Sequence, residues 1–298
     1  MKLRSNGIIY AIIATLGFSI IPILAGIGIS GGVSPSTMLF YRFFIAGMIF
    51  FVYCIISKRE DILRTKKEFW YICVAGTIYS IQCISFFSAF RYVSPSIGEI
   101  IYYCYPLFVL LLARLFLNEK ITKQKIVGIT LSFMGTAIVL YAPWESLEVK
   151  GIVYVITAAF ISAVYMIYTK KYIAGIDSAV LTMYLCFVCS SVYFVYSMIN
   201  NEFTIILEPK IIFYLSILAF WSTVVGFFAF MKAVSLLSVG RVSVISLLEP
   251  IFTIVLSYII LKTKLTWLQI IGTAVILFAV YIYNKSSNID SCDTIENS

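Results

Sequence analysis

Residues 105–128 read YPLFVLLLARLFLNEKITKQKIVG, and residues 249–272 read EPIFTIVLSYIILKTKLTWLQIIG. The two stretches lie 144 positions apart, and in that register Pro106, Phe108, Leu117, Lys120, Thr122, Ile126 and Gly128 fall on Pro250, Phe252, Leu261, Lys264, Thr266, Ile270 and Gly272. Apolar matches are common in so greasy a chain. A proline, a lysine, a threonine and a glycine in one ungapped register are not. The same offset works outward from here. Gly7, Ile8, Tyr10, Ile12 and Ala14 meet Gly151, Ile152, Tyr154, Ile156 and Ala158, while Phe43, Phe50, Phe86 and Ala89 meet Phe187, Phe194, Phe230 and Ala233. The chain therefore reads as two copies of one unit, 7–141 and 151–283, with a polar, acidic end over 284–298 read as a disordered tail.

Composition names the solvent. Of 298 residues, 61% are hydrophobic and only 12% charged, and the mean hydropathy is +1.01. A soluble domain carries about 25% charged residues. A membrane helix needs about 20 mostly apolar residues, and the sequence predicts ten such spans: 8–29, 36–56, 70–90, 95–116, 126–141, 151–170, 178–199, 211–232, 242–261 and 267–283. The apolar runs are continuous and do not alternate, so helices are expected and barrel strands are not. The expected class is an all-α integral membrane protein.

Five spans per copy is an odd number. The second copy must then enter the bilayer from the opposite side, which gives two inverted five-helix repeats, the plan of many carriers that work by alternating access around a midplane site. Charge placement agrees with an even total. With the N-terminus inside, 16 of the 22 Lys and Arg residues fall in inner segments, five in outer loops, and Arg42 within a span. By the positive-inside rule both termini are cytoplasmic and the protein resides in the cell membrane. The net charge of +8 is explained by inner loops facing anionic lipid, and no nucleic-acid partner is expected.

The run Tyr105-Pro106-Leu107, then Leu117-Asn118-Glu119-Lys120-Ile121-Thr122 and Gly128, resembles the signature of the EamA family of the drug/metabolite transporter superfamily. Leu248-Glu249-Pro250, then Lys264-Leu265-Thr266 and Gly272, resembles it again. The resemblance spans nearly the whole chain. It implies ten helices in inverted repeats, cytoplasmic termini, and export of amino acids or other small metabolites; the export direction comes from it alone. One departure stands out: where the family carries Gly-Glu before the second basic-x-Thr, this chain has Lys262-Thr263, whereas the first copy keeps Glu119.

Residues able to handle a solute are few. Pro106 and Pro250 fall mid-span at matching positions, each unable to bond the carbonyl four residues back, on Tyr102 and Ser246. Each is expected to kink its helix. Charges inside a bilayer cost roughly 2.5–3.5 kcal/mol each on insertion scales and mark functional sites. Three lie within spans: Arg42, Glu99 and Glu249. Arg42 and Glu99 fall at similar depths below the outer face, fitting either a structural ion pair or a shared outer gate. With no histidine in the chain, a proton-coupled cycle would rely on Glu99 or Glu249. Tyr102, Tyr103, Tyr165 and Trp221, with Tyr79 and Gln82 three residues apart on one helix face, supply polar handles for a small amphipathic solute.

Other signals are discounted. Gly26-Ile27-Gly28-Ile29-Ser30-Gly31 matches the dinucleotide fingerprint but follows a membrane helix in place of a strand. Cys186 and Cys189 form a C-x-x-C without βαβ context, so no redox or metal site and no cofactor is expected. Gly128 and Ser132 make a small-xxx-small pair suited to close helix packing or to dimerisation, so monomer and homodimer both stay open. No catalytic cluster of acids stands near a membrane face. A small-molecule carrier is thus preferred, with a channel next and a membrane-embedded enzyme after it.

Overall fold

Apolar stretches bounded by capping residues dictate the helices, and the computed structural model describes residues 2–57, 65–93, 95–140, 148–206, 208–262 and 266–296. All regular structure among them is helical: α1 Lys2–Phe18, α2 Ile21–Ser30, α3 Pro35–Ile56, α4 Lys66–Ala89, α5 Pro95–Tyr102, α6 Tyr105–Phe116, α7 Lys123–Val139, α8 Val149–Tyr168, α9 Ser178–Ile199, α10 Pro209–Leu218, α11 Phe228–Leu236, α12 Val239–Ser246, α13 Glu249–Leu261 and α14 Trp267–Glu296. Two π-helical segments, Thr169–Ile173 and Ala219–Phe227, extend α8 and join α10 to α11. Caps fix the starts. Ser34 accepts from Thr37 N–H ahead of Pro35, Thr122 accepts from Lys125 N–H, and the Asp177 carboxylate accepts from Ala179 and Val180 N–H.

Among the described residues eight helices are long and apolar enough to cross a membrane: Asn6–Leu24, Pro35–Ile56, Lys66–Ala89, Gly98–Phe116, Val149–Ile173, Ser178–Ile199, Pro209–Leu236 and Val239–Ile260. Trp267–Tyr283 is apolar but shorter, and α7 has 17 residues. The protein is an all-helical, multi-pass membrane protein. The last helix, α14, continues past residue 283 to Glu296. The loop residues Lys58, Arg59, Glu60, Asp61 and Arg64, and Thr263, Lys264 and Leu265, lie outside the described residues.

The chain divides into two compact units, and each draws on both sequence copies. Unit 1 comprises Met1–Ile84 and Tyr168–Leu236; unit 2 comprises Ser85–Ile167 and Leu237–Ser298. Within unit 1, α3 packs along α9 and α1 along α11 and the second π segment. A Cβ placed on Gly17 would lie 2.6 Å from the Cα of Gly226, so these two backbones touch. Within unit 2, α7 packs along α14 and α6 against α12. Gly128 faces Ala279 and Tyr283, while Gly272 faces Gly135 and Val139. Ala279 lies 144 positions after Gly135 and Gly272 the same distance after Gly128, so the two contacts are reciprocal. The small-xxx-small pair thus packs within the chain.

At each of the two mid-span prolines the helix is interrupted. One helix ends at Tyr102 and the next begins at Tyr105 with Pro106 in its first turn; the second pair ends at Ser246 and resumes at Glu249 with Pro250 likewise. Between them the chain tightens to i→i−3 bonds. Cys104 N–H donates to Ile101 at 3.1 Å and Leu107 N–H to Cys104 at 2.9 Å; Leu248 N–H donates to Ile245 at 3.0 Å and Ile251 N–H to Leu248 at 3.1 Å. The residue before each second half has the same backbone, φ −75° and ψ −10° at Cys104 and φ −75° and ψ −11° at Leu248. Each proline occupies a first turn, where its missing N–H costs nothing.

Candidate functional site

Unit 1 carries Arg42, Tyr79, Gln82 and Trp221. Arg42 projects from α3 seven residues past Pro35 and is only 3% exposed. Its Nε donates to the Thr223 hydroxyl at 2.8 Å, and its Cζ stands 5.0 Å from the centroid of the Phe43 ring. Thr223 belongs to the π segment Ala219–Phe227, whose wider turn presents it inward. Tyr79 is half-buried on α4, its ring 5.8 Å from Phe43 and 5.1 Å from Phe227. Gln82 is buried and its Oε1 accepts from the Cys83 thiol. Trp221, expected to line a pocket, is 37% exposed. Arg42 and Glu99, read from depth as a pair, belong to different units, and the partner found for Arg42 is Thr223.

Unit 2 carries the remaining residues around its two helix breaks. Tyr102 donates to the Ser162 hydroxyl at 3.1 Å and packs on Phe86, ring centroids 4.7 Å apart. Tyr105 donates to the backbone carbonyl of Ser243 at 3.1 Å, which ties α6 to α12. Tyr103 is buried, with both Glu99 and Glu249 within electrostatic reach of its hydroxyl. Tyr165 is buried on α8. Glu99 and Glu249 are half-buried, one on each broken helix pair. Pro106 and Pro250 are both buried at the breaks. Tyrosines and carboxyls from the two breaks therefore meet in one unit, as a polar centre inside apolar helices.

Several residues here escape a reading by sequence. Arg241, which directly precedes the expected span 242–261 and so counts among the 16 cations of the inner segments, is buried at 3% exposure within α12. That helix starts at Val239, earlier than hydropathy places it. Glu119 accepts from Val239 N–H at 3.2 Å and so caps α12, an arrangement favoured by the helix dipole. Lys170 donates to the carbonyls of Val234 and Ser235 at 2.8 and 3.1 Å, closing the C-terminal end of α11. Thr223 carries no charge to flag it, and the π turn that aims it leaves no mark in hydropathy. The glycine-rich 26–31 stretch lies on α2 and the turn after it, with no strand before it among the described residues.

Comparison with known proteins agrees with this architecture. The model of the EamA-like transporter family matches residues 5–141 and again residues 149–285. An uncharacterized transporter of Archaeoglobus fulgidus is 25% identical over 251 residues, covering 84% of this chain and 88% of its own length. The uncharacterized transporter YyaM of Bacillus subtilis is 22% identical over 278 residues, with 90% of each chain covered. The uncharacterized inner membrane transporter YhbE of Escherichia coli is 24% identical, covering 75% of this chain and 71% of its own. A crystal structure shares the fold, with a TM-score of 0.82 at 18% identity over 94% of this chain and 96% of the other. With the family model matched twice across almost its full length, this chain belongs to the EamA-like transporter family.

Proposed function

We propose that the chain is a secondary carrier of small metabolites, amino acids and related solutes foremost, which exports them across the cytoplasmic membrane by alternating access. Ten crossings form two inverted five-helix repeats with both termini in the cytoplasm. The observation that carries this reading is the recurrence, 144 residues apart, of one broken-helix geometry with a proline in the first turn of each second half. Broken helices at matching points of two copies are where carriers of this plan place their solute sites. Arg42, Tyr79, Gln82 and Trp221 in unit 1, and Glu99, Tyr102, Tyr103, Tyr165 and Glu249 in unit 2, are the residues assigned to solute handling or gating. Pro106 and Pro250 serve as the flexing points. Glu99 and Glu249 are the groups through which protons would be coupled.

Reconstitution into liposomes with a pooled metabolite panel, read by mass spectrometry with and without a pH gradient, tests it. Saturable transport with counterflow is expected. Stepwise conductance would replace the carrier with a channel, and conversion of labelled lipid would replace it with an enzyme. Accessibility labelling tests the inverted plan separately: Lys58 and Lys170–Lys171 are expected on the same, cytoplasmic, face. Labelling on opposite faces overturns it.

A further inference from the structure

Unit 1 buries a cation and supplies its membrane helices with no opposite charge. Asn6–Leu24, Pro35–Ile56, Ser178–Ile199 and Pro209–Leu236 contain no Asp or Glu, and the one acid in the unit 1 part of α4, Glu68, sits in its first turn. Glu202 is engaged at the start of α3, where its carboxylate accepts from the Ser36 hydroxyl, about 9 Å along the helix from Arg42 at helical rise. Arg42 makes one hydrogen bond, through Nε, to Thr223. Among the described residues its Nη2 is buried without an acceptor. Both the Arg42 charge and the Tyr193 hydroxyl act on the Cys83 thiol, which places them around one spot in the unit. A buried guanidinium donor left unsatisfied is costly, and in native folds such groups call for an explanation.

The chemistry of the group supplies one. Guanidinium is a planar fork that binds carboxylates through two parallel N–H donors. Thr223 holds Nε, and Nη2 is the donor left for a ligand. The π turn that carries Thr223 is the kind of local irregularity found at functional sites.

We propose that Arg42 is an anion receptor: as the helices around it part, its Nη edge takes the carboxylate of the transported solute, with the Tyr193 hydroxyl as a second donor. This deepens the carrier reading, on which it rests, by naming the solute class. Among the described residues no acceptor meets Nη2, so a bound carboxylate satisfies a donor that the protein alone leaves unmet.

The test uses purified full-length protein and measures thermal stabilisation by acetate, benzoate, succinate and phenylalanine, each against its neutral primary amide. At least one carboxylate is expected to stabilise the wild type at a concentration about tenfold lower than its amide, the factor that a charge-assisted hydrogen bond implies. Arg42→Gln is expected to abolish that preference and Arg42→Lys to keep part of it. Thr223→Val, which leaves the cation but frees its Nε, is expected to weaken the preference and guards against a variant that fails to fold. Equal stabilisation by carboxylate and amide in the wild type, or a preference unchanged in Arg42→Gln, overturns the assignment. In liposomes, transport confined to neutral or cationic solutes overturns the receptor and leaves the carrier intact; absence of transport for every solute overturns the carrier itself.

Discussion

The two helix breaks, at residues 103–104 and 247–248, share a backbone and differ in what they carry. Both close with i→i−3 bonds of nearly equal length, and both put a proline in the next first turn. The first break is tyrosine: Tyr102, Tyr103 and Tyr105 surround Cys104. The second is leucine and acid: Ser246, Leu247, Leu248 and Glu249. Tyr105 and Glu249 occupy the same position, 144 residues apart, yet one is a neutral donor bonded to the Ser243 carbonyl and the other a carboxyl within reach of Tyr103. Shared backbone means that duplication preserves the mechanical element. Divergent side chains mean that the chemistry at each break is specialised.

The largest effect expected from this contrast concerns the acid. Glu249→Gln should lose its response to an imposed pH gradient in liposomes, whereas Tyr105→Phe should keep it. An unchanged gradient response in Glu249→Gln would break the distinction drawn between the breaks. Packing gives the next contrast. A Cβ on Gly272 would meet the Gly135 carbonyl oxygen at 2.7 Å and the Val139 nitrogen at 2.9 Å, both backbone, while one on Gly128 would meet the Tyr283 Cβ at 3.0 Å. Gly272→Ala should therefore cost about 1–3 kcal/mol and Gly128→Ala less, read as melting temperature and folded yield in detergent. Equal losses would show the α7–α14 seam to be uniform.

Loop chemistry gives smaller differences. Glu119 caps α12 through the Val239 N–H, and Glu119→Ala should cost about 1 kcal/mol by loss of a cap, measured by thermal unfolding. Tyr105→Phe removes a buried hydrogen bond and should cost about 1 kcal/mol or slightly less; neutrality would mean that the α6–α12 tie is redundant. The smallest effect separates two matching turns. Asn118 and Lys262 both have φ of 56°, a region that Asn tolerates and Lys does not. Lys262→Gly should stabilise by up to about 1 kcal/mol, while Asn118→Gly should change little.

Much of this was legible before any coordinates. The duplication, the helical class and the tyrosine cluster before Pro106 all follow from local patterns, because apolar length and proline act over a few residues. Arg42, Glu99 and Glu249 were recognisable for a different reason: a charge within an apolar run stands out in composition alone. What was misread depended on neighbours. Arg241 looked like a loop cation because hydropathy cannot see α12 starting at Val239.

Sequence by itself determined that this chain is built of membrane-length apolar helices, that it matches itself at an offset of 144 residues and which family it resembles, since each rests on composition or on register along the chain. Only the tertiary structure decided that each compact unit mixes helices from both copies, that Arg42 is bound by Thr223 and left with an unfilled donor, and that both acids reach Tyr103. The physical reason is range. Hydropathy and capping are properties of neighbours in sequence, whereas the partner of a buried charge is chosen by helices brought together from distant parts of the chain.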